Sequence, residues 1–294
     1  MQDIQQLTTD LSSVGYIADH DLGTVLHLSR VLQRPLLLEG DAGVGKTAVA
    51  QALADAQQFD LVRLQCYEGL DVSTALYEWN YQKQLMSIRL HDADGISTSA
   101  LEQKIFSEEY LMPRPLLQAI TAEQTVVLLI DEIDRADDEF EAFLLELLAD
   151  FQITSPELGT ITARHKPQVV LTSNATRELS DALRRRCLYH FVDYPDPHKE
   201  HEILKKQLPQ LNEQLAGAVV AFVQKLRQEH LKKTPGVAET LDWASALMQM
   251  KVTDLADALP QIEASLGCLL KTRADLELAD DTFLQQLTTS NTSQ

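Results

Sequence analysis

Glycine and proline are scarce in this sequence, 11 and 10 of 294 residues. That disfavours many-turned all-β architectures and favours helix. Cysteine is scarcer still. Cys66, Cys187 and Cys268 are far apart and odd in number, so they form neither a disulfide framework nor a zinc spacing. A reducing cytoplasm is the expected compartment. Long hydrophobic runs are missing too. The longest, Leu215–Val223, is nine residues with one glycine, where a membrane span needs about 20. No basic residue precedes Arg30, so the start has neither the charged opening of a signal peptide nor the arginines of a transit peptide. Positive charge is short overall: 25 Lys and Arg stand against 44 Asp and Glu, a net charge of −19. Such a chain is repelled by phosphate backbones and anionic lipid, which disfavours nucleic acid and membrane surfaces as partners.

What is present is an ordinary globular balance, 45% hydrophobic and 23% charged residues. At roughly 100–200 residues per domain, the length suggests about two domains. Residues 19–33 predict a helix, Leu36–Leu38 a buried strand and Ala48–Gln57 a helix. Strands are expected at 60–66, Val126–Ile130, Pro167–Thr172 and Leu188–Val192, with an acidic, leucine-rich helix over 138–150. Strands alternating with helices predict an α/β domain with a parallel sheet. After Tyr194-Pro195-Asp196-Pro197 the pattern changes. Leu211, Leu215, Val219, Phe222 and Leu226 recur at helical spacing, as do Val237, Leu241 and Ala244, and then Leu259, Ile262, Leu266 and Leu270. A boundary is expected near 195, giving an α/β nucleotide-binding domain over 1–195 and an all-helical domain over 196–294, with a frayed tail from Leu287.

The strongest local signal is Gly40-Asp41-Ala42-Gly43-Val44-Gly45-Lys46-Thr47. It fits the phosphate-binding pattern G-x-x-x-x-G-K-[ST], with a strand before it and a helix, opening on Ala48, after it. Glycines let successive backbone N–H groups turn inward onto phosphate oxygens, and the helix N-terminus adds its positive end. Lys46 is placed for the β- and γ-phosphates and Thr47 for Mg²⁺. The loop alone leaves kinases, G-proteins, transporters and helicases open. Val126–Ile130 then delivers Asp131 and Glu132 at the end of a buried strand, the edge where ligands of parallel sheets bind. Asp131 suits Mg²⁺ and Glu132 the base that polarises water for attack on the γ-phosphate. There is no N-K-x-D guanine-reading motif and no L-S-G-G-Q stretch, which disfavours a G-protein and a transporter ATPase. Asn174 ends the apolar run Val169–Ser173 and is a candidate to orient the water. Arg184-Arg185-Arg186 stand together in a strongly acidic chain. One of them is a candidate arginine finger, against the plainer reading of cations at a helix C-terminus.

In that order, and followed by a helical lid, these residues resemble an AAA+ ATPase, and within that superfamily the MoxR group. Asp131-Glu132-Ile133-Asp134-Arg135-Ala136 is similar to that group's Asp-Glu-Ile-Asn-Arg-Ala, and Phe143–Leu148 with Phe151–Thr154 to its next helix and strand. The resemblance spans roughly 20–260. It implies Asn174 as sensor 1, Arg186 as the finger with Arg185 in reserve, a β-hairpin over 151–168 and a polar insertion over about 83–110. It also implies ATP and Mg²⁺ as cofactors, a hexameric ring, remodelling or maturation of another protein, and a partner bearing a von Willebrand factor A domain. One departure stands out. Thr234–Leu241, where a lid arginine is expected, has none; Lys232 and Lys233 lie just before it. That keeps a non-hydrolysing nucleotide-binding adaptor open, and a DNA-linked AAA+ motor is the other alternative.

Weaker signals are bland by default. Tyr77, Tyr81 and Leu85 share one face if the segment is helical, which predicts core packing, with substrate or pore contact as the alternative. His198 and His201 suit a solvated helix start better than a metal site. Cys187 is expected to be buried and inert. Tyr16 and Ile17, before the first expected helix, are candidates for an adenine pocket by the AAA+ resemblance.

Overall fold

The computed structural model describes residues 1–91, 107–155 and 159–289. The chain divides into two compact units, one of Met1–Thr24, Glu39–Ala52 and Phe191–Gln294, the other of Val25–Leu38 and Leu53–His190. The strands are β1 (Leu36–Glu39), β2 (Leu61–Gln65), β3 (Tyr77–Trp79), β4 (Leu111–Pro113), β5 (Val127–Asp131), β6 (Gln152–Ser155), β7 (Gly159–Thr162), β8 (Gln168–Ser173) and β9 (Leu188–Phe191). The helices up to the last strand are α1 (Gln2–Ser13), α2 (His20–Leu32), α3 (Lys46–Gln57), α4 (Val72–Leu76), α5 (Tyr81–His91), α6 (Pro115–Thr121), α7 (Asp138–Asp150) and α8 (Asp181–Arg186). Beyond it come α9 (Pro197–Gln207), α10 (Glu213–Leu226), α11 (Val237–Gln249), α12 (Leu259–Ser265), α13 (Arg273–Leu278) and α14 (Asp281–Thr289).

A five-stranded sheet of order β2-β5-β8-β1-β9 organises the α/β unit. β5 lies parallel to β2 and β8, with Ile130 level with Leu64 and with Leu171. Every residue of β1 and β5 is buried, as the unbroken apolar runs predict for a parallel sheet covered on both faces. Leu37, Leu128, Ile130, Phe140, Leu144 and Leu171 belong to one core, each fully buried side chain contributing roughly 1.5–3 kcal/mol. α7 begins where the Asp137 carboxylate accepts from the Phe140 N–H at 2.9 Å. Its acidic first turn suits the helix dipole. It ends at Phe151, which takes the left-handed conformation and donates its N–H to the Leu147 carbonyl.

The helical region has a core of its own, with Leu204, Val219, Phe222, Trp243, Leu247, Ile262 and Leu269. Phe222 and Trp243 pack with ring centroids 4.8 Å apart. The buried Trp243 indole donates to Ser265 Oγ at 2.9 Å, so its polar atom is satisfied. The α/β core with a parallel sheet and the helical C-terminal region are those expected from the sequence.

Five expectations need comment. α1 precedes the first expected helix, so Tyr16 and Ile17 lie between two helices. Its only buried side chains are Leu7 and Leu11, too few to show a period among Gln, Thr and Ser. Tyr77, Tyr81 and Leu85 do not share a helical face. Tyr77 and Trp79 belong to β3, paired antiparallel with β4, and Tyr81 and Leu85 are 61% and 58% exposed. The break falls at Asn80, whose side chain accepts from the Lys83 N–H and starts α5 afresh. At the end, α14 runs to Thr289 and Leu287 is buried, so the fraying expected from Leu287 does not begin there; 290–294 lie outside the described residues. The hairpin expected over 151–168 forms from β6 and β7, with 156–158 outside the described residues. Of the insertion expected at 83–110, residues 92–106 lie outside them.

Candidate nucleotide site

The phosphate loop leaves buried β1 at Gly40. A Cβ there would fall 2.1 Å from the Val192 carbonyl oxygen, and the Val192 N–H donates to the Glu39 carbonyl at 2.7 Å, so only glycine fits so close a passage. Lys46, 6% exposed, folds its ammonium into the loop and donates to the carbonyls of Gly40 and Asp41, each at 2.7 Å. Val44 is buried, while Thr47 and Ala48 are exposed on the first turn of α3. An exposed helix N-terminus with a cation beside it is an anion site in physical terms. Beside this loop, a cavity of about 410 Å³ is lined by Asp41, Gly43, Tyr194, Lys233, Thr234 and Lys271, among others.

The acid pair sits at the end of β5. Asp131 is 3% exposed. Its Oδ1 accepts from the Thr172 hydroxyl at 2.5 Å and its Oδ2 from Arg63 at 2.6 Å. Glu132 turns the chain with φ +55° and ψ +51°, a conformation uncommon for a residue with a side chain. Its N–H is held by Thr172 Oγ1 at 2.9 Å. Its carboxylate accepts from Gln65 at 3.0 Å and Arg135 at 3.2 Å. Asn174 follows β8 directly, and its N–H donates to Asp134 at 3.2 Å. The Thr176 N–H and hydroxyl reach the same carboxylate at 3.0 and 2.6 Å. Burial alone would raise the Asp134 pKa, but these hydrogen bonds outweigh it and hold the group below the usual carboxylate range. Glu132 and Asn174 are thereby brought to one cavity of about 830 Å³, together with Glu68, Asp134, Arg135 and Arg177. Cys66, buried at the same edge, has its thiol pushed up to about 12, first by burial and then by the charges of Asp131, Asp134 and Glu132.

The three arginines form the last turn of α8, whose start is capped by Ser180 Oγ. Arg185 and Arg186 are exposed and Arg184 is half-buried. Arg186 donates to the Leu145 carbonyl of α7 at 2.6 Å. Sequence reasoning missed Arg34, whose guanidinium donates to the carbonyls of Arg185, Arg186 and Cys187 at 2.6, 3.1 and 3.2 Å. It caps α8 from 150 positions away, and no local spacing signals that. Missed as well were Arg177, paired with the buried Glu141 and with Asp138, and Arg227, paired with Glu200 inside the helical region. Cys187 is buried with its thiol pushed up to about 12 by burial, against the pull of Arg34. His201 lies 3.1 Å from Glu213 and His198 3.9 Å from Glu202. The Tyr16 hydroxyl is held protonated, first by burial and then by Asp19.

Residues 35–187 match the family model described as AAA domain (dynein-related subfamily). An uncharacterized protein of Staphylococcus epidermidis is 26% identical over 236 residues, 78% of this chain and 80% of that protein. Midasin of Giardia intestinalis is 50% identical over 44 residues, 15% of this chain and 1% of midasin. Among solved structures, a point mutant of Thermotoga maritima RuvB aligns with a TM-score of 0.50 at 17% identity, covering 89% of this chain and 70% of that one. That likeness is one of fold. The family match covers the phosphate loop, the acid pair, Asn174 and the arginine turn in one continuous stretch, and on it the chain belongs to the AAA domain family, dynein-related subfamily, and is an AAA+ ATPase.

Proposed function

We propose that this ATPase hydrolyses Mg²⁺-ATP to remodel or mature another protein, in the manner of the MoxR group, as a homo-oligomeric ring of six subunits. The observation that carries the reading is the run Asp131-Glu132-Ile133-Asp134-Arg135-Ala136, with Glu132 and Asn174 opening onto one cavity. The phosphates are held by the backbone of Gly40, Asp41, Ala42, Gly43, Val44 and Gly45, with Lys46, Thr47 and Ala48 at the helix start. On binding, Lys46 exchanges the carbonyls of Gly40 and Asp41 for phosphate oxygens. The Thr47 hydroxyl and Asp131 carboxylate offer the hard oxygen donors that Mg²⁺ takes, and the ion when bound neutralises charge developing on the phosphates. Glu132 polarises the attacking water and Asn174 orients it.

The neighbouring subunit contributes Arg186, with Arg185 as its alternate. Residues 1–195 act as the nucleotide domain and 196–294 as the lid, in the cytoplasm, with a von Willebrand factor A domain protein as partner. A DNA motor is opposed by the net charge of −19. The test is phosphate release by the wild type and Lys46→Ala, beside ATP binding by calorimetry. Binding and release in the wild type, both lost in Lys46→Ala, are expected. A wild type that binds no ATP overturns the reading. Capture of the client from the source cell identifies the protein acted on.

A further inference from the structure

Segment 234–241 brings no arginine to the phosphate loop, but it brings its backbone. The Val237 N–H, opening α11, donates to the Gly43 carbonyl at 2.9 Å. Gly236 lies so near that a Cβ on it would sit 2.6 Å from the Gly43 oxygen and 2.7 Å from its Cα and carbonyl carbon. The Glu239 carboxylate accepts from the Gly236 N–H at 3.0 Å and fixes that first turn. A second tie runs through Tyr194, which lines one cavity with Asp41 and Gly43 of the loop and with Thr234. Burial and the Asp41 charge push the Tyr194 pKa up, against the pull of Arg227.

Both ties are set by one buried ion pair. The Arg227 and Glu200 side chains are 7% and 1% exposed and meet through two hydrogen bonds of 2.7 and 2.6 Å. The Arg227 guanidinium also lies 4.9 Å from the centre of the Tyr194 ring and donates to the Pro235 carbonyl at 2.9 Å. The Thr240 hydroxyl is 2.9 Å from Glu200 and 3.0 Å from the Gly236 carbonyl. The pair thus fixes the residues on either side of the α11 start and the ring that shares a cavity with Asp41.

We propose that Gly236 and Tyr194 are positioning residues that tie the lid to residues 41–43 of the phosphate loop, so that nucleotide reaches the lid through the loop's own backbone in place of a lid arginine. The proposal rests on the reading of residues 40–48 as the nucleotide site. Its physical step is the exchange made by Lys46. When the ammonium leaves the carbonyls of Gly40 and Asp41 for a phosphate, the peptides that carry Gly43 O and the Asp41 side chain are re-set; the α11 start is bonded to the first, and Tyr194 shares a cavity with the second.

Amide hydrogen exchange on the full chain, with and without Mg²⁺-ADP, tests this. In the wild type, exchange of 236–241 is expected to change by about fivefold, the worth of one net hydrogen bond of about 1 kcal/mol, while 219–226 in the lid core does not change. In Gly236→Ala and in Tyr194→Phe, calorimetry still detects nucleotide and the change at 236–241 is lost. Should Gly236→Ala fail to fold by circular dichroism, Tyr194→Phe decides, since it removes one hydroxyl and keeps the ring. A wild type that binds ADP with no change at 236–241, or a change that persists in the folded variants, overturns the proposal and leaves the nucleotide site standing. A wild type that binds no nucleotide defeats the site itself, and the proposal with it.

Discussion

The guanidinium of Arg63 lies 2.6 Å from Oδ2 of Asp131. One partner is on the edge strand β2, the other ends β5, and the arginine side chain is half-exposed while the carboxylate is buried. If Asp131 holds Mg²⁺ as proposed, Arg63 competes with the ion for that carboxylate, through a pair worth at most about 1 kcal/mol at that exposure. Arg63→Ala is expected to lower the Mg²⁺ concentration for half-maximal phosphate release by about two- to fivefold, with little change in stability. A rise in the Mg²⁺ requirement would show that Arg63 assists the cation.

Glu132 is held from both sides, by Gln65 and by Arg135, and a glutamine at this position keeps the shape and a carbonyl oxygen for both donors. Glu132→Gln should retain ATP and lose about 100-fold or more of turnover, the usual worth of a placed general base. Mixed with Arg186→Ala, it should recover part of the rate if, as proposed, each variant supplies what the other lacks. The same mixture with Arg185→Ala tells which arginine serves, given that Arg186 is bonded to Leu145 of its own chain. No recovery at any ratio, with mixed rings verified by mass, argues against a shared site.

Much of this was legible because it is local. Eight contiguous residues carry the G-x-x-x-x-G-K-[ST] pattern from the end of β1 into α3, and an unbroken apolar run announces β5, which ends at Asp131. Arg63 was not legible, because its place beside Asp131 depends on the β2–β5 register, in which Gln65 is level with Asp131. β3 was hidden for a different reason. Tyr77, Tyr81 and Leu85 fall at helical spacing by coincidence, and the three-residue strand within that stretch is set by its pairing with β4, more than 30 positions on. Segment 234–241 carries no arginine, while Arg227 at the end of α10 meets Glu200 of α9 and the Pro235 carbonyl before α11 only once those helices are packed.

Arg227→Ala leaves the buried Glu200 carboxylate without its cation, with the neutral donors Thr240 and Gln224 remaining. Removing one partner of a buried pair typically costs about 3–5 kcal/mol, and replacing both partners with apolar groups recovers much of it. Denaturant unfolding should show that order, with Arg227→Ala least stable and Arg227→Met combined with Glu200→Leu nearer the wild type. A loss below about 1 kcal/mol in the single variant would mean that the remaining donors and a relaxed lid satisfy the uncompensated carboxylate.

Asp134 makes stability acid-sensitive in a defined direction. Its native pKa lies below the ordinary carboxylate value of about 3.9. The unfolded chain therefore takes up the proton first as pH falls. The contribution is complete above the ordinary value and is lost as pH falls through the depressed one. Asp134→Asn should cost about 1–3 kcal/mol at neutral pH, through the bonds to Asn174 and Thr176. It should also flatten the fall in stability below about pH 4. An unchanged acid slope in the variant would place that sensitivity in other carboxylates.

The three cysteines separate by environment. Cys66 and Cys187 are buried, and Cys268 is half-buried. With thiols pushed up to about 12, the first two carry about one thiolate in ten thousand at pH 8, too little for ready attack on a disulfide reagent. Native protein treated with an aromatic disulfide at that pH should yield one fast thiol, assigned to Cys268 by loss in Cys268→Ser, and guanidinium chloride should release the other two. The Cys66 thiol is the more informative, because burial and the three neighbouring carboxylates all push it the same way. Asp131→Asn removes one of those charges without opening the core, so Cys66 labelling should quicken only modestly. Rapid labelling of Cys66 in that variant would mean that Asp131, through Thr172 and Arg63, holds the β5 edge closed.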